Sequence, residues 1–193
     1  MVQKNIFENK MTREEALKLL KEKIKNQNLI KHSLAVEVCM KTLAEYFDED
    51  KAKWALAGLL HDIDYEETKN SPEEHSLKGA EILKNLGLDQ EIVEAVKTHN
   101  EIHNLRPETK MAKALFSVDP LTGLIVAATL VLPEKKISSL TVQNILNRFR
   151  EKAFARGANR EIIKRCEDIG LSLGKFIEIC LLAMQKIADE LNL

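Results

Sequence analysis

The chain of 193 residues carries 29 Lys/Arg against 30 Asp/Glu, a formal net charge of -1, and 45% hydrophobic residues. That is enough apolar material for one sizeable core, and it gives no global attraction to nucleic acid or to an anionic membrane. Seven Gly and four Pro leave few breakers, and the 31% of charged residues are of mixed sign, as solvated helix faces require. The fold class expected is therefore all-α, a single compact helical bundle over residues 1–193. Cys39, Cys166 and Cys180 sit in apolar helical patterns with no Cys-x-x-Cys spacing and read as reduced core residues. With no basic-then-apolar leader at Met1, and a longest apolar run (Leu121 to Leu132) of 12 residues, a cytoplasmic protein without a membrane partner is expected.

Thr12-Arg-Glu-Glu15 has the form of a capping box and starts an amphipathic helix with Ala16, Leu19, Leu20 and Ile24 on one face. Asn26 to Asn28 ends it. A second helix carries Leu29, Ile30, Leu34, Val36, Val38 and Leu43 to Phe47, and a third opens at Asp48-Glu-Asp50 and runs into His61. Ser71-Pro72-Glu73-Glu74 reads as the start of a further helix that Gly87 closes, with Pro at the first position and acids against the helix dipole. Asp89 caps the next, which delivers His99 near its end before an irregular stretch from Asn100 to Pro107. Helices are then expected over 110–118, 121–132, 141–154, 160–169 and 173–191, with Pro133, Gly157 and Gly170 as punctuation. Charge is uneven along the chain: seven Lys/Arg against two acids from Arg148 to Arg165, and six acids against Lys69 from Asp62 to Glu74.

The chemistry-bearing residues are His32, the adjacent His61-Asp62 at the end of the buried stretch Trp54 to Leu60, His75, His99 and Asp119. A helix presents neighbours at three- or four-residue intervals, so a metal site inside a bundle draws one or two ligands from each of several facing helices. Imidazole and carboxylate are suited to a divalent cation, and a helix terminus lets the neighbouring His61 and Asp62 serve together. Asp64 and Glu66 follow as carboxylates that could act as acid, base or orienting partner. Thr122 could reach a phosphate oxygen or cap a helix that begins there, and His103 reads as a pocket or surface residue.

His32, His61-Asp62 and Asp119, in that order on apolar helical segments, resemble the H…HD…D pattern of the HD-domain metal-dependent phosphohydrolase superfamily. The strings Leu29-Ile-Lys-His-Ser-Leu-Ala-Val-Glu and Leu59-Leu-His-Asp-Ile-Asp64 carry the likeness, which covers residues 28–132 and leaves 133–193 as accessory C-terminal helices. The resemblance implies an all-helical HD-type domain in which His32, His61, Asp62 and Asp119 hold a first divalent ion: Fe, Mn, Ni, Co, Zn or Mg. The strings around His75 and His99 are similar to those that supply a second ion in HD-GYP proteins and bacterial diadenosine tetraphosphate hydrolases, with Asp62 bridging. Asp64 and Tyr65 stand where HD-GYP proteins carry Gly and Lys, so cleavage of cyclic dinucleotides is not implied.

The function expected from this likeness is a metal-dependent phosphohydrolase that uses metal-activated water on a small phosphorylated molecule such as a nucleotide. Asp62, Asp64 and Glu66 are its candidate catalytic carboxylates, and Thr122 and His103 its candidate substrate contacts. The partner expected is that small molecule, with no nucleic acid and no membrane, in a monomer or homodimer. The alternatives are a metal- and nucleotide-binding sensor module and a di-iron HD oxygenase.

Overall fold

Thr12 opens the first helix, α1 (Arg13–Lys23), by accepting the Glu15 N–H while the Glu15 carboxylate accepts the Thr12 N–H, the reciprocal cap read from sequence. The computed structural model describes residues 11–193, so the leader reading at Met1 lies outside the described residues. Asn26 caps α2 (Gln27–Phe47), and Asp50 caps α3 (Lys51–Leu60) by accepting the N–H groups of Ala52 and Lys53. There follow α4 (Tyr65–Thr68), α5 (Leu77–Asn85), α6 (Gln90–Thr98), α7 (Lys110–Leu130), α8 (Val142–Arg150), α9 (Arg160–Lys164), α10 (Leu173–Gln185) and α11 (Ala188–Leu191). Short 3-10 turns occupy Glu101–His103, Ile137–Ser139 and Arg165–Ile169. No strand occurs among the described residues, and the fold is all-α as expected.

The long helices α2 and α7 form the centre, and α3, α6 and α10 pack around them. Leu20 of α1, Val36 and Met40 of α2, Leu59 of α3, Leu115 and Leu121 of α7 and Phe176 of α10 are completely or almost completely buried in one continuous cluster. Cys39, Cys166 and Cys180 are buried there as free thiols. Arg13 makes a two-bond contact with the buried Glu37 carboxylate and so ties α1 to α2.

Gly58 sets how closely α3 approaches α2. A Cβ at this position would lie 2.9 Å from both the Glu37 Cα and the Val36 carbonyl oxygen, which are backbone atoms that cannot swing aside. Gly58→Ala is expected to push the two helices apart and lower stability by about 1–3 kcal/mol, the usual range for overpacking. Urea denaturation measures it, and a variant as stable as the wild type would contradict the close contact.

Five expectations are corrected. Residues 110–118 and 121–132 were to be separate helices, but α7 runs unbroken through Pro120. Counted as one helix, its 21 residues are long and apolar enough to cross a membrane by length and composition, which the twelve-residue apolar run was not; 67% of its most apolar window is buried within the fold. The Ser71-Pro72 helix start is a turn, and α5 begins only at Leu77. The helix expected over 141–154 stops at Arg150, and those over 160–169 and 173–191 each break into two shorter pieces.

Candidate metal centre

Six side chains from five parts of the chain converge at one end of the α2–α3–α7 core. His32 comes from the second turn of α2, His61 and Asp62 from the C-terminal end of α3, and His75 from the turn before α5. His99 caps the C-terminus of α6, and Asp119 comes from the middle of α7. The His61 and His32 Nε2 atoms are 3.2 Å apart, and the Asp119 Oδ1 lies 3.0 Å from His32 and 3.8 Å from His61. Asp62 divides its two oxygens. Oδ2 faces His61 at 3.4 Å and His32 at 3.7 Å, while Oδ1 faces His75 at 3.3 Å and His99 at 3.4 Å.

The outward ring nitrogens fix what the inward ones can do. His61 Nδ1 is 2.8 Å from the Gly58 carbonyl and His99 Nδ1 is 2.7 Å from the Val96 carbonyl; a carbonyl only accepts, so both Nδ1 atoms carry the hydrogen. Thr122 donates its hydroxyl to the Asp119 carbonyl at 2.9 Å and therefore accepts from His32 Nδ1 at 3.2 Å. His75 Nδ1 donates to Asp64 Oδ1 at 2.9 Å. All four imidazoles, when neutral, consequently aim an Nε2 lone pair at carboxylate oxygens. Lone pairs facing carboxylates repel unless a positive charge sits among them. His99 Nε2 is buried with no hydrogen-bond partner, a donor-less atom of the kind that a cation satisfies. Three groups of these residues have ligand atoms close enough to share one ion: His32 with His61 and Asp62, His61 with His99 and Asp119, and Asp62 with His75 and His99.

Protons provide the same compensation when no cation is bound. Burial pushes the His61 imidazole down, but the charge and hydrogen bond of Asp62 outweigh it and raise its pKa to about 9. Burial likewise opposes His75, yet Asp62 and Asp64 raise it to about 10. Burial alone would raise Asp62; the charge of His61 and the hydrogen bonds of the surrounding histidines hold it well below the usual carboxylate range. Both histidines lie above the ordinary imidazole value of about 6.5, so their protons stabilise the cation-free protein fully below that pH. That stabilisation fades as pH rises through 9 and then 10. A cation must displace these protons. Its binding near neutral pH is expected to release protons, and its affinity to climb with pH up to that range. Calorimetric titration with Mn2+ in buffers of different ionisation enthalpy measures the release; a heat independent of buffer would contradict it.

Asp64 and Glu66 stand outside the cluster. Asp64 is completely buried, and its two oxygens accept His75 Nδ1–H at 2.9 Å, the Ser76 N–H at 2.9 Å and the Gly79 N–H at 2.8 Å. It is thus the remote cap of α5 and the orienting partner of His75, completely buried and held by three donors from the chain itself. Glu66 turns away to accept the N–H groups of Lys25 and Asn26 at 3.0 and 2.6 Å, joining α4 to the α1–α2 link. Thr122 is completely buried, lies inside α7 rather than at a helix start, and spends its hydroxyl on His32 and Asp119. His103 donates Nε2–H to the His75 carbonyl at 2.7 Å and so braces the backbone behind a cluster residue.

The cluster opens into a cleft of about 160 Å³ that His75, His99 and Asp119 share with Asn100, Glu101, Phe116, Pro120, Gly157, Asn159 and Ile162. Asn159 bridges this cleft: its Nδ2 donates to Glu101 Oε2 at 2.7 Å while its Oδ1 accepts the Glu161 N–H at 3.0 Å, capping α9. The sequence reading missed Asn100, Glu101, Gly157 and Asn159. Asn100 and Glu101 carried a weak signal in directly following His99, whereas the contribution of Gly157 and Asn159 depends on tertiary packing alone.

The HD domain family model matches residues 29–167, and the chain belongs to this family. Among curated relatives, Ribonuclease Y of Lawsonia intracellularis is 34% identical over 139 residues, covering 70% of this chain and 26% of that protein. Ribonuclease Y of Nitratidesulfovibrio vulgaris is 32% identical over 140 residues, covering 71% and 27%, and that of Fusobacterium nucleatum is 28% identical over 139 residues. The chain thus spans only about a quarter of the length of these relatives, 26% to 27%. No solved structure matches significantly. Family and relatives together support a metal-dependent HD-type hydrolase. They also overturn the partner expectation of a small molecule with no nucleic acid, since the relatives are named as ribonucleases. The near-zero net charge misled because it averages an acidic stretch with a basic one, and contact with a polyanion depends on local charge.

Proposed function

We propose that the chain hydrolyses phosphodiester bonds of RNA with a pair of divalent cations bridged by Asp62. The carrying observation is the division of the Asp62 carboxylate, with one oxygen turned to His32 and His61 and the other to His75 and His99. His32, His61, Asp119 and Asp62 Oδ2 would hold one cation; His75, His99 and Asp62 Oδ1 the other. When bound, such a pair supplies Lewis acidity to phosphoryl oxygens and makes water a competent nucleophile at neutral pH. Support for RNA comes from the ribonuclease relatives.

The protein's own residues supply position and proton handling. The four Nδ1–H donors lock the imidazole rings so that every Nε2 faces inward before substrate arrives. Asp119 lines the cleft, and its Oδ1 is directed to His32 and His61. Its side chain is 29% exposed, so a water entering the cleft meets this carboxylate, which is placed to take that water's proton. Asn100 in the cleft wall offers a neutral amide to the strand, and its own Nδ2 lies 3.3 Å from the His75 carbonyl, which keeps it beside the cluster. Water adds to phosphorus and gives up a proton to Asp119, the phosphorus–oxygen bond to the leaving nucleoside breaks, and the leaving oxygen is protonated by Asp119 or by solvent water, which returns the carboxylate to its starting state.

The test uses anaerobically purified protein analysed for metal and incubated with Mn2+ and end-labelled single-stranded RNA. Cleavage that EDTA stops and Mn2+ restores is expected. Fully metal-loaded protein that leaves the RNA intact would refute the proposal.

A further inference from the structure

We propose that Arg150, Lys152 and Arg156 form a phosphate-binding arm along which a single-stranded RNA backbone runs into the cleft; this rests on the RNA-hydrolase reading above. The seven cations between Arg148 and Arg165 divide sharply once their partners are known. Arg160 is turned inward. Its guanidinium donates to the carbonyls of Phe154 at 2.6 Å, Ala158 at 2.6 Å and Ala155 at 2.7 Å, and more distantly to those of Phe149 and Arg148 at 3.3 Å. Three others are neutralised by acids three residues away: Arg148 by Glu151 at 2.8 Å, Lys164 by Glu161 at 3.1 Å and Arg165 by Asp168 at 2.9 Å. Arg150, Lys152 and Arg156 remain, all exposed and without an acidic partner among the described residues.

Arg150 ends α8, and Lys152 and Arg156 lie in the segment that joins α8 to α9, whose Gly157 and Asn159 line the cleft beside His75, His99 and Asp119. The segment has little helical structure to hold it, yet it is fixed. Arg160 collects its carbonyls, the Asn159–Glu101 bridge pins its far end, and Ala155 is kept at φ +44°. A backbone held in this way by the part-buried Arg160 guanidinium fixes the attachment points of its free cations relative to the cluster. Of the two acids in the cleft wall, Asp119 faces His32 and His61 and Glu101 is engaged by Asn159, while Glu151 is engaged by Arg148, so none of the three opposes the arm with an unpaired charge. Unpaired, exposed cations beside a phosphodiester-cleaving centre suit the one repeating charge of an RNA strand.

The test compares metal-loaded wild type with the triple variant Arg150→Gln, Lys152→Gln, Arg156→Gln, using fluorescence anisotropy with a labelled 15-nucleotide single-stranded RNA across a KCl series. Each lost phosphate contact flattens the slope of log affinity against log salt by about 0.7, so three flatten it by about 2 and weaken binding roughly 100-fold at 0.1 M salt. The variant should keep its metal content and thermal midpoint, since all three residues are exposed. A variant with the wild-type slope, while wild type cleaves RNA, overturns the arm and leaves the hydrolase standing. Wild type that neither binds nor cleaves RNA removes both. Wild type that is held by phosphatidylserine vesicles through the same three residues, and not by RNA, overturns the RNA assignment.

Discussion

Asp62→Ala is expected to abolish turnover and to empty both halves of the histidine cluster while the helical fold persists. Among the described residues Asp62 is the only side chain whose two oxygens reach both histidine pairs, at 3.3 to 3.7 Å, so its removal takes a ligand from each half at once. The loss should exceed the roughly 10–100-fold that follows when only an outer hydrogen-bond partner of a ligand is removed. The scaffold should survive because Trp54, Ala57, Leu59 and Leu60 of α3 remain buried against α2 and do not depend on Asp62. The cation-free variant should also show lower His61 and His75 pKa values, because the carboxylate that raises both is gone while Asp119 and Asp64 remain. Metal analysis, circular dichroism and histidine titration by NMR check these outcomes. Full metal content in the variant would contradict the bridging role.

Asp64→Asn is expected to separate the two halves. The near-isosteric amide can still accept from Ser76 or Gly79, but its NH2 cannot accept the His75 Nδ1–H. His75 would then favour the tautomer with hydrogen on Nε2 and lose the lone pair it turns to Asp62. Ser76, at φ +71°, adds to the demand, since a non-glycine residue in that region persists only where its surroundings hold it. The half containing His32, His61 and Asp119 makes no hydrogen bond to Asp64 and should keep its cation. The half containing His75 and His99 should lose about 10–100-fold in affinity. Metal stoichiometry after dialysis, together with calorimetry, would show a fall from two ions per chain toward one. Two ions bound as tightly as in wild type would show that Asp64 does not position His75.

The sequence was most legible where structure is local. The Thr12 box and the Asp50 and Asp89 caps each satisfy helix N–H groups within three residues, so composition and spacing were enough. The α5 start was misread because its cap comes from far upstream: Asp64, 12 residues from Ser76 and 15 from Gly79, takes their N–H groups and sets the helix to begin at Leu77. No window around Ser71 contains that information. α7 was divided at Pro120 because an interior proline removes one helix hydrogen bond and crowds the preceding turn, at a typical cost of about 3 kcal/mol. Near-complete burial of Leu115, Val118, Leu121, Leu124 and Ile125 on the same helix offsets that cost, and burial is a tertiary fact.

The histidines and aspartates stood out because these residue types rarely occupy apolar helical stretches without a chemical reason. Their convergence followed the order of the motif. Glu66 was legible as a carboxylate near the HD pair, but not the side of α4 to which it turns. Arg160 looked like one cation among seven, and only the coordinates distinguish the guanidinium that organises a loop from those that face solvent.

Anomalous diffraction from crystals grown with Mn2+ tests the bridged pair of cations most directly. Two anomalous peaks should flank the Asp62 carboxylate, one against His32, His61 and Asp119 and the other against His75 and His99. A cluster with no peak, in crystals where Mn2+ binds elsewhere on the chain, would contradict the assignment of these six residues as a metal centre.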